Sequence, residues 1–357
     1  MASGGADDDE SGGFGRAAST APSYAPTGAL VVNGAVADAE CSAPANMLLA
    51  SLPGSAYTTI RTHGGRKRVV QWDAHVARLR RSAEMLDGEA GRDLGWPPGG
   101  DWGATVGPSV SLALQVLGTR AAADDGSGEA MVVIIVTPGA PKARITSLAV
   151  PLPMPFRHNR VMDGAALASA GEPSVLLGWS MWPTWVDVQV WERGMGGAKV
   201  SDWVLERRAV EERRPHTCGE TVLSDAKGKV GEGCLTNLFV VHADRYVQTA
   251  PCDGSLLDGT MRQLVLQACR DIGIEVREER PDAAGAAASR KVVWLEAFLT
   301  SAGRVAQPIQ GMFLPEATFA QLPDGGRIEF NSITPVSDAI RARVYELMAA
   351  EARPLDE

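Results

Sequence analysis

A lysine and a glutamate, each set among glycines, constrain this chain more than any other feature. Lys199 follows the glycine-rich run 194–197 and precedes a helical pattern that begins near Trp203. Glu232 stands between two glycines, thirty-three residues further on, at the entrance to a predicted β-strand. Because glycine has no side chain, a flat and bulky ligand can approach the backbone closely at both points. The segment 194–239 therefore predicts a site for a planar ligand, with an amine and a carboxylate beside it.

Lys199 differs from the other lysines of the chain in its surroundings. Lys227 and Lys229 fall in a predicted turn. Lys67 and Lys291 each follow an arginine in a loop-like segment. Lys199 alone joins a glycine-rich approach to a helical pattern, where its amine could form a Schiff base with an aldehyde cofactor. The alternative is a solvated lysine at the start of a helix.

Three motifs follow one another in an order that is typical of one family. They are Lys199, then Glu-Gly-Cys-Leu-Thr-Asn-Leu-Phe at 232–239, then Leu-Asp-Gly-Thr-Met-Arg at 257–262. With these motifs the chain resembles, over roughly residues 50–312, the class IV aminotransferases, which are fold-type IV enzymes dependent on pyridoxal 5'-phosphate (PLP). The group includes branched-chain aminotransferases, D-amino-acid aminotransferases and 4-amino-4-deoxychorismate lyases. The resemblance implies an α+β fold of two domains, like that of D-amino-acid aminotransferase, with PLP between the domains.

The resemblance also implies roles for three residues of this segment. Lys199 would hold the cofactor through a Schiff base and serve as the catalytic acid and base. Glu232 would contact the pyridine nitrogen, where a carboxylate favours the protonated ring, the better electron sink. Asn237 would brace the strand or the glutamate by hydrogen bonds. The alternative for Glu232 is a solvated hairpin residue.

The cofactor phosphate is expected to bind Arg78, within the pattern His-x-x-Arg-Leu-x-x-Ser-Ala at 75–83. In the family the matching arginine contacts the phosphate, and a planar guanidinium suits two phosphate oxygens. The alternative is a solvated helix arginine, as expected for Arg80 and Arg81. His75 is expected to have a structural role near the start of the helix.

Two further segments are expected at the phosphate. Gly259, Thr260 and Met261 begin a predicted helix, whose free N–H groups and dipole attract anions. Met261 stands where many relatives have a threonine and where the lyases of the group have a methionine, so the contact there is expected to come mainly from the backbone. The alternative is that the glycine serves chain geometry only. Thr300 and Ser301, in a predicted loop at 297–303, match the family's hydroxyl-bearing phosphate loop.

Composition predicts three regions along the chain. Residues 1–44 are rich in Gly, Ala, Ser and Asp, which favours a disordered acidic tail. Residues 45–183 are expected to form an N-terminal α/β domain, with a Gly/Pro-rich insertion near 87–130 that has only one helix-like island. Residues 184–357 are expected to form the C-terminal, PLP-binding domain.

Charge and composition exclude several classes of protein. The net charge of −9 argues against a nucleic-acid-binding surface. The sequence has no run of 18 apolar residues, so no membrane-spanning helix is expected. The five cysteines show no Cys-x-x-Cys spacing, which favours free thiols in a reducing compartment, and the histidines give no metal-ligand pair. A cytoplasmic protein is expected, with plastid or mitochondrial targeting left open.

These observations lead to one function and two alternatives. The chain is expected to be a PLP-dependent aminotransferase acting on an amino acid and a keto acid, and the resemblance implies a homodimer. The alternatives are elimination of the 4-amino-4-deoxychorismate lyase type on the same scaffold, or a PLP-binding homologue without activity. The substrate is not identified, and Arg61, Arg193 and Arg304 remain unranked candidates for binding its carboxylate.

Overall fold

The computed structural model describes residues 27–97, 100–119, 128–139, 142–152, 183–289, 293–315, 321–322 and 326–355. The strands are β1 (Gly28–Val32), β2 (Ala35–Cys41), β3 (Ala56–His63), β4 (Arg68–Val69), β5 (Ala130–Thr137), β6 (Arg144–Pro151), β7 (Thr184–Val190), β8 (Cys218–Ser224), β9 (Val230–Gly233), β10 (Asn237–His242), β11 (Val247–Thr249), β12 (Val276–Glu278), β13 (Trp294–Thr300), β14 (Gln307–Phe313) and β15 (Arg327–Glu329). The helices are α1 (Ala45–Ala50), α2 (Trp72–Ala90), α3 (Trp102–Gly118), α4 (Asp202–Glu206), α5 (Arg208–Glu211), α6 (Thr260–Asp271), α7 (Ala283–Ala288) and α8 (Pro335–Glu351).

The N-terminal part is an antiparallel sheet of six strands in the order β2-β1-β6-β5-β3-β4. Strand β5 is a continuous apolar run and lies near the centre of the sheet, so seven of its eight residues are buried. Helix α2 packs against β3, and α3 packs against β1 and β6. This packing fixes α2, and with it Arg78, next to the strand that carries Tyr57.

The predicted disordered tail is wrong for residues 28–41, and the helix predicted in the insertion is longer than expected. Strands β1 and β2 lie within residues 28–41, and β1 pairs with β6, so the predicted tail contains part of the sheet. Alternate small apolar residues, Ala29 and Val31, are fully buried and anchor β1. Residues 1–26 lie outside the described part of the chain. In the predicted insertion, α3 runs over seventeen residues and buries a stripe at Val106, Val110 and Ala113, because these i, i+4 and i+7 positions face the sheet.

The C-terminal part is built on nine strands, of which six form a closed ring. The order is β12-β11-β10-β13-β14-β7-β8-β9, and β9 pairs with β10 as well as β8. Helices α6 and α8 pack on each other over an apolar cluster that includes Phe239 and Phe298, whose rings stack 5.0 Å apart. The ring of strands therefore supplies a rigid frame for Glu232 on β9.

Backbone hydrogen bonds join the two sheets near Lys199. Tyr57 N donates to the Lys199 carbonyl (2.9 Å), and Ser201 N donates to the Ser55 carbonyl (2.9 Å). The 199–201 segment thus runs beside the start of β3, although it belongs to the C-terminal part of the sequence. Within the described ranges, no helix is long and apolar enough to cross a membrane.

Candidate active site between the two sheets

The backbone of Lys199 makes two hydrogen bonds with the N-terminal part of the chain. Its carbonyl accepts from Tyr57 N, and its own N–H donates to Ser82 Oγ on α2 (2.9 Å). Its Nζ lies 4.7 Å from the centroid of the Tyr57 ring. Tight packing of the preceding glycines guides the chain here, since a Cβ on Gly196 would lie 2.2 Å from the backbone of Ser255. The backbone of Lys199 is therefore fixed by hydrogen bonds and close packing on the protein itself.

The electrostatic surroundings of Lys199 favour its neutral amine. Burial lowers its pKa to about 8, with Tyr57 acting in the opposite direction and Arg78, Arg193 and Arg207 adding to the decrease. A lysine with this pKa is partly unprotonated near neutral pH, whereas an ordinary lysine is almost wholly charged. The amine at this position is thus available as a nucleophile toward an aldehyde.

Glu232 lies on β9, in an ion pair that the sequence did not predict. Its Oε1 accepts from Arg193 Nη1 (2.9 Å), and its Oε2 accepts from Leu257 N (3.1 Å). Burial raises the pKa of Glu232, and the charge and hydrogen bond of Arg193 oppose that rise. Arg193 Nη2 donates to the Ala198 carbonyl (2.7 Å), which links the carboxylate to the residue before Lys199. The carboxylate retains acceptor capacity for a further N–H.

Three predicted residues lie in one row across neighbouring strands. Glu232 on β9 pairs with Asn237 on β10, which pairs with Thr300 on β13. Directly opposed residues of adjacent strands project to the same face of a sheet. Asn237 Nδ2 donates to the Leu257 carbonyl (2.9 Å), and its Oδ1 would lie 2.1 Å from a Cβ on Gly259. Asn237 therefore braces the loop before α6, and Gly259 is required to be small.

A second row links the N-terminal sheet to α6. Arg78 Nη2 donates to Thr58 Oγ1 (2.5 Å) and lies 3.1 Å from His75 Nδ1. His75 Nδ1 is also 2.8 Å from Thr58 Oγ1, and its Nε2 is 3.3 Å from Thr260 Oγ1. The predicted phosphate residues Arg78 and Thr260, which are far apart in sequence, are thus brought into one cluster.

The protonation of His75 follows from this cluster. Its pKa is well below the usual range because of burial and the charges of Arg78 and Lys199, so the ring is neutral near pH 7. A guanidinium can only donate, so His75 Nδ1 accepts and Nε2 carries the hydrogen, which it donates to Thr260 Oγ1. The hydroxyl hydrogen of Thr260 is then free to bond to an anion.

Several buried polar atoms of the site lack a partner. Among the described residues, Arg78 Nε and Thr300 Oγ1 have no hydrogen-bond partner. Burial lowers the pKa of Arg78 to about 10, which still leaves it charged near neutral pH. Gly259 is the N-cap residue of α6, and no side chain in the described ranges accepts a hydrogen bond from the first N–H groups of this helix. An anion with several oxygens would satisfy these donors together.

Two of the predicted phosphate residues have other contacts. The Met261 side chain is buried in the apolar cluster between α6 and α8, so only its backbone can face the helix N-terminus. Ser301 closes a turn, in which its Oγ accepts from Arg304 N (3.2 Å). The predicted loop 297–303 is shorter than expected, because β13 continues to Thr300 before the chain turns.

The arginines proposed for the substrate carboxylate have different positions. Arg193 pairs with Glu232, and Arg304 pairs with Glu220 on β8 (3.1 Å). Arg61 is a buried residue on β3 of the N-terminal sheet. The site instead contains Arg207, which was not among the residues predicted from the sequence. The helical spacing could have indicated its buried position. Arg207 lies four residues after Trp203 and three before Val210, which are both buried, and such positions share one face of a helix.

A cavity of about 670 Å³ lies elsewhere on the N-terminal part. It is lined by residues of α2, α3 and the C-terminal segment, including Trp72, Trp102 and Arg353, and by none of the site residues above. The described residues contain no group of His, Cys, Asp and Glu arranged to hold a metal ion. The amine, carboxylate and anion-binding donors converge only around Lys199 within the described ranges.

Comparison with known proteins gives a family match for part of the chain and a fold match for most of it. Residues 186–311 match the model of amino-transferase class IV. The branched-chain-amino-acid aminotransferase of Salmonella typhimurium is 27% identical over 142 residues, which are 39% of this chain and 40% of that protein. The match thus spans less than half of the curated relative.

Solved structures share the whole fold. The branched-chain aminotransferase of Thermoproteus uzoniensis, solved with norvaline, has 18% identity and a TM-score of 0.61, with 92% of this chain and 99% of that chain covered. The enzyme of Thermobaculum terrenum, solved in its PLP form, has 13% identity and a TM-score of 0.62, with 93% and 99% covered. Residues 186–311 thus resemble the class IV aminotransferases, and the chain has the two-domain α+β fold of the fold-type IV branched-chain aminotransferases. The resemblance found in the sequence is thereby confirmed.

Proposed function

We propose that the protein is a PLP-dependent aminotransferase that acts on an amino acid and a keto acid. The observation that carries the proposal is Lys199, whose amine has a pKa of about 8 and lies between an anion-binding cluster and a carboxylate. Residues of this kind at these places fit PLP, which has an aldehyde, a phosphate and a ring nitrogen. PLP-form structures exist among the fold relatives.

Each end of the cofactor has residues suited to it. Arg78, Thr260 and Thr300 offer donors to the phosphate, together with the N-terminus of α6. Glu232 offers an acceptor to the ring nitrogen, and Arg193 favours the ionised carboxylate. Lys199 offers the amine that would join the aldehyde. Gly259 and Asn237 are proposed to position these groups.

The chemistry divides between cofactor and protein. When bound, PLP supplies an electron-withdrawing ring that accepts electron density from the substrate Cα. Lys199 moves the proton at Cα, and a pKa of about 8 lets the amine both accept and return a proton near neutral pH. Glu232 holds a proton at the ring nitrogen, since its negative charge favours the protonated ring. Burial of both side chains excludes water from these transfers.

A single-turnover experiment tests the activity. Holoprotein is mixed with L- and D-amino acids, beginning with leucine, isoleucine and valine because the relatives are named for branched-chain amino acids. The expected result is loss of the visible band of bound PLP, with one keto acid formed per site. A band that no donor changes would contradict transamination.

The same experiment separates the alternative functions. Release of pyruvate from 4-amino-4-deoxychorismate without an acceptor, alongside inert amino donors, would establish the lyase instead. No change with any of these compounds would favour an inactive PLP-binding homologue. Met261 does not decide between them, because its side chain is packed in the apolar core. Assembly as a homodimer is part of this proposal and is measured by sedimentation.

A further inference from the structure

Arg207 is a buried arginine at the site for which the proposed chemistry gives no role. It is 5% exposed, whereas its chain neighbours Glu206 and Arg208 are exposed. Its Nε donates to Glu211 Oε1 (3.0 Å), which fixes the plane of the guanidinium. Its Nη1 is buried and has no hydrogen-bond partner among the described residues. A buried guanidinium is rarely left with an unpaired donor, since burial of an unsatisfied N–H is unfavourable.

The position of Arg207 is set by the helix that follows Lys199. Val204 packs in one apolar cluster with Tyr57, over whose ring the Lys199 amine lies. On the other side, the Trp203 indole donates to the Cys234 carbonyl (2.8 Å), two residues after Glu232. Arg207 N donates to the Trp203 carbonyl, so Arg207 lies one helical turn beyond both contacts.

The charge of Arg207 acts on the reactive residues. It contributes to the lowered pKa of Lys199. It also contributes to the lowered pKa of Tyr57, where Lys199, Arg207 and Arg193 together outweigh the opposing effect of burial. Arg78, by contrast, is held in the cluster with Thr58 and His75. Both arginines keep one buried N–H without a partner among the described residues, but Arg78 lies in the cluster expected at the phosphate and Arg207 does not.

We propose that Arg207 binds the α-carboxylate of the amino-acid substrate through Nη1. The proposal rests on the function proposed above. An amino acid that reacts beside Lys199 brings its carboxylate within a few ångströms of that amine, and a guanidinium is the donor best matched to a carboxylate. Arg193 has both Nη atoms occupied, by Glu232 and the Ala198 carbonyl, and Arg78 is expected at the phosphate. Arg207 keeps Nη1 for a ligand after its ion pair with Glu211.

The test compares binding of an acid and its neutral amide. Holoprotein is titrated with 4-methylpentanoate and with 4-methylpentanamide, which lack the amino group and cannot react. Binding is followed by calorimetry and by the shift of the visible band. The wild-type protein is expected to prefer the acid by about 10- to 100-fold, the range typical of a charged hydrogen bond. Arg207→Gln is expected to lose that preference and bind the amide unchanged.

Control variants separate this role from folding and from the function itself. Arg208→Gln, at the exposed neighbouring position, is expected to keep the preference, and Arg207→Lys is expected to retain part of it. If Arg207→Gln does not fold, full preference for the acid in Arg207→Lys would overturn the proposal, because an ammonium cannot place a donor at both Nε and Nη1. Full preference in Arg207→Gln, or equal wild-type binding of acid and amide, would also overturn it. Failure of the wild-type protein to bind PLP would instead overturn the proposed function.

Discussion

Replacing Lys199 by methionine should stabilise the protein when it is free of cofactor. The lysine is held in a site that lowers its pKa from 10.5 to about 8 through burial and three nearby arginines. Below pH 8 the folded protein must therefore keep a charged amine where the neutral form is preferred. The shift corresponds to about 3 kcal/mol of lost stability at pH 7, since one pKa unit is about 1.4 kcal/mol. Methionine keeps most of the chain length without a charge.

The pH dependence gives the sign of the effect. Between pH 8 and 10.5 the unfolded chain binds a proton at this lysine that the folded protein has lost, so wild-type stability rises with pH. The advantage of Lys199→Met should therefore fall from about 3 kcal/mol at pH 7 to below about 1 kcal/mol at pH 10. Urea denaturation of the apoprotein at both pH values measures it.

A matched variant controls for loss of a positive charge. Lys227 is exposed in the turn between β8 and β9, so Lys227→Met is expected to change the free energy of unfolding by less than about 0.5 kcal/mol at either pH. Equal stabilities of wild-type protein and Lys199→Met at pH 7 would refute the argument that the amine is buried at a cost. A gain of the same size at pH 10 would refute its electrostatic origin.

Further variants test the remaining contacts. Glu232→Gln should retain PLP but turn over about 10- to 100-fold more slowly, which stopped-flow spectroscopy measures, because an amide cannot favour the protonated ring. Arg78→Ala should weaken PLP binding about 10- to 100-fold, whereas Arg80→Ala, at an exposed position of the same helix, should not; equal affinities would remove Arg78 from the phosphate site. Gly259→Ala should reduce PLP retention, because its Cβ would lie 2.1 Å from a side-chain oxygen of β10, while Gly88→Ala, with open space around it, should retain PLP like the wild-type protein.

The fold brings together residues that the sequence singled out, through a frame that the sequence did not predict. Lys199 and Glu232 were predicted from motifs whose order and spacing can be seen in the sequence alone. Their convergence depends on two pairings, that of β9 with β10 and that of the 199–201 segment with β3. The second pairing links residues more than 140 positions apart in the sequence. No local pattern contains such pairings.

The missed features have physical reasons. Strands β1 and β2 consist largely of small residues beside an acidic, glycine-rich segment, so the composition suggested disorder. The alternation of apolar residues at Ala29 and Val31 could have indicated a strand. Arg207 was not predicted as a site residue, although its helical spacing from the buried Trp203 and Val210 indicates a buried position. Arg193 was recognised as a candidate but not as the partner of Glu232, since the pairing exists only in the folded chain.

Chemical trapping of the cofactor shows which lysine holds PLP. The protein is incubated with PLP, reduced with borohydride, digested and analysed by mass spectrometry for phosphopyridoxyl-lysine. We expect one adduct per chain, on the peptide that contains Lys199, because this lysine combines a pKa of about 8 with neighbouring donors for the phosphate. An adduct confined to another of the six lysines, or a Lys199 peptide left unmodified at saturating PLP, would contradict it.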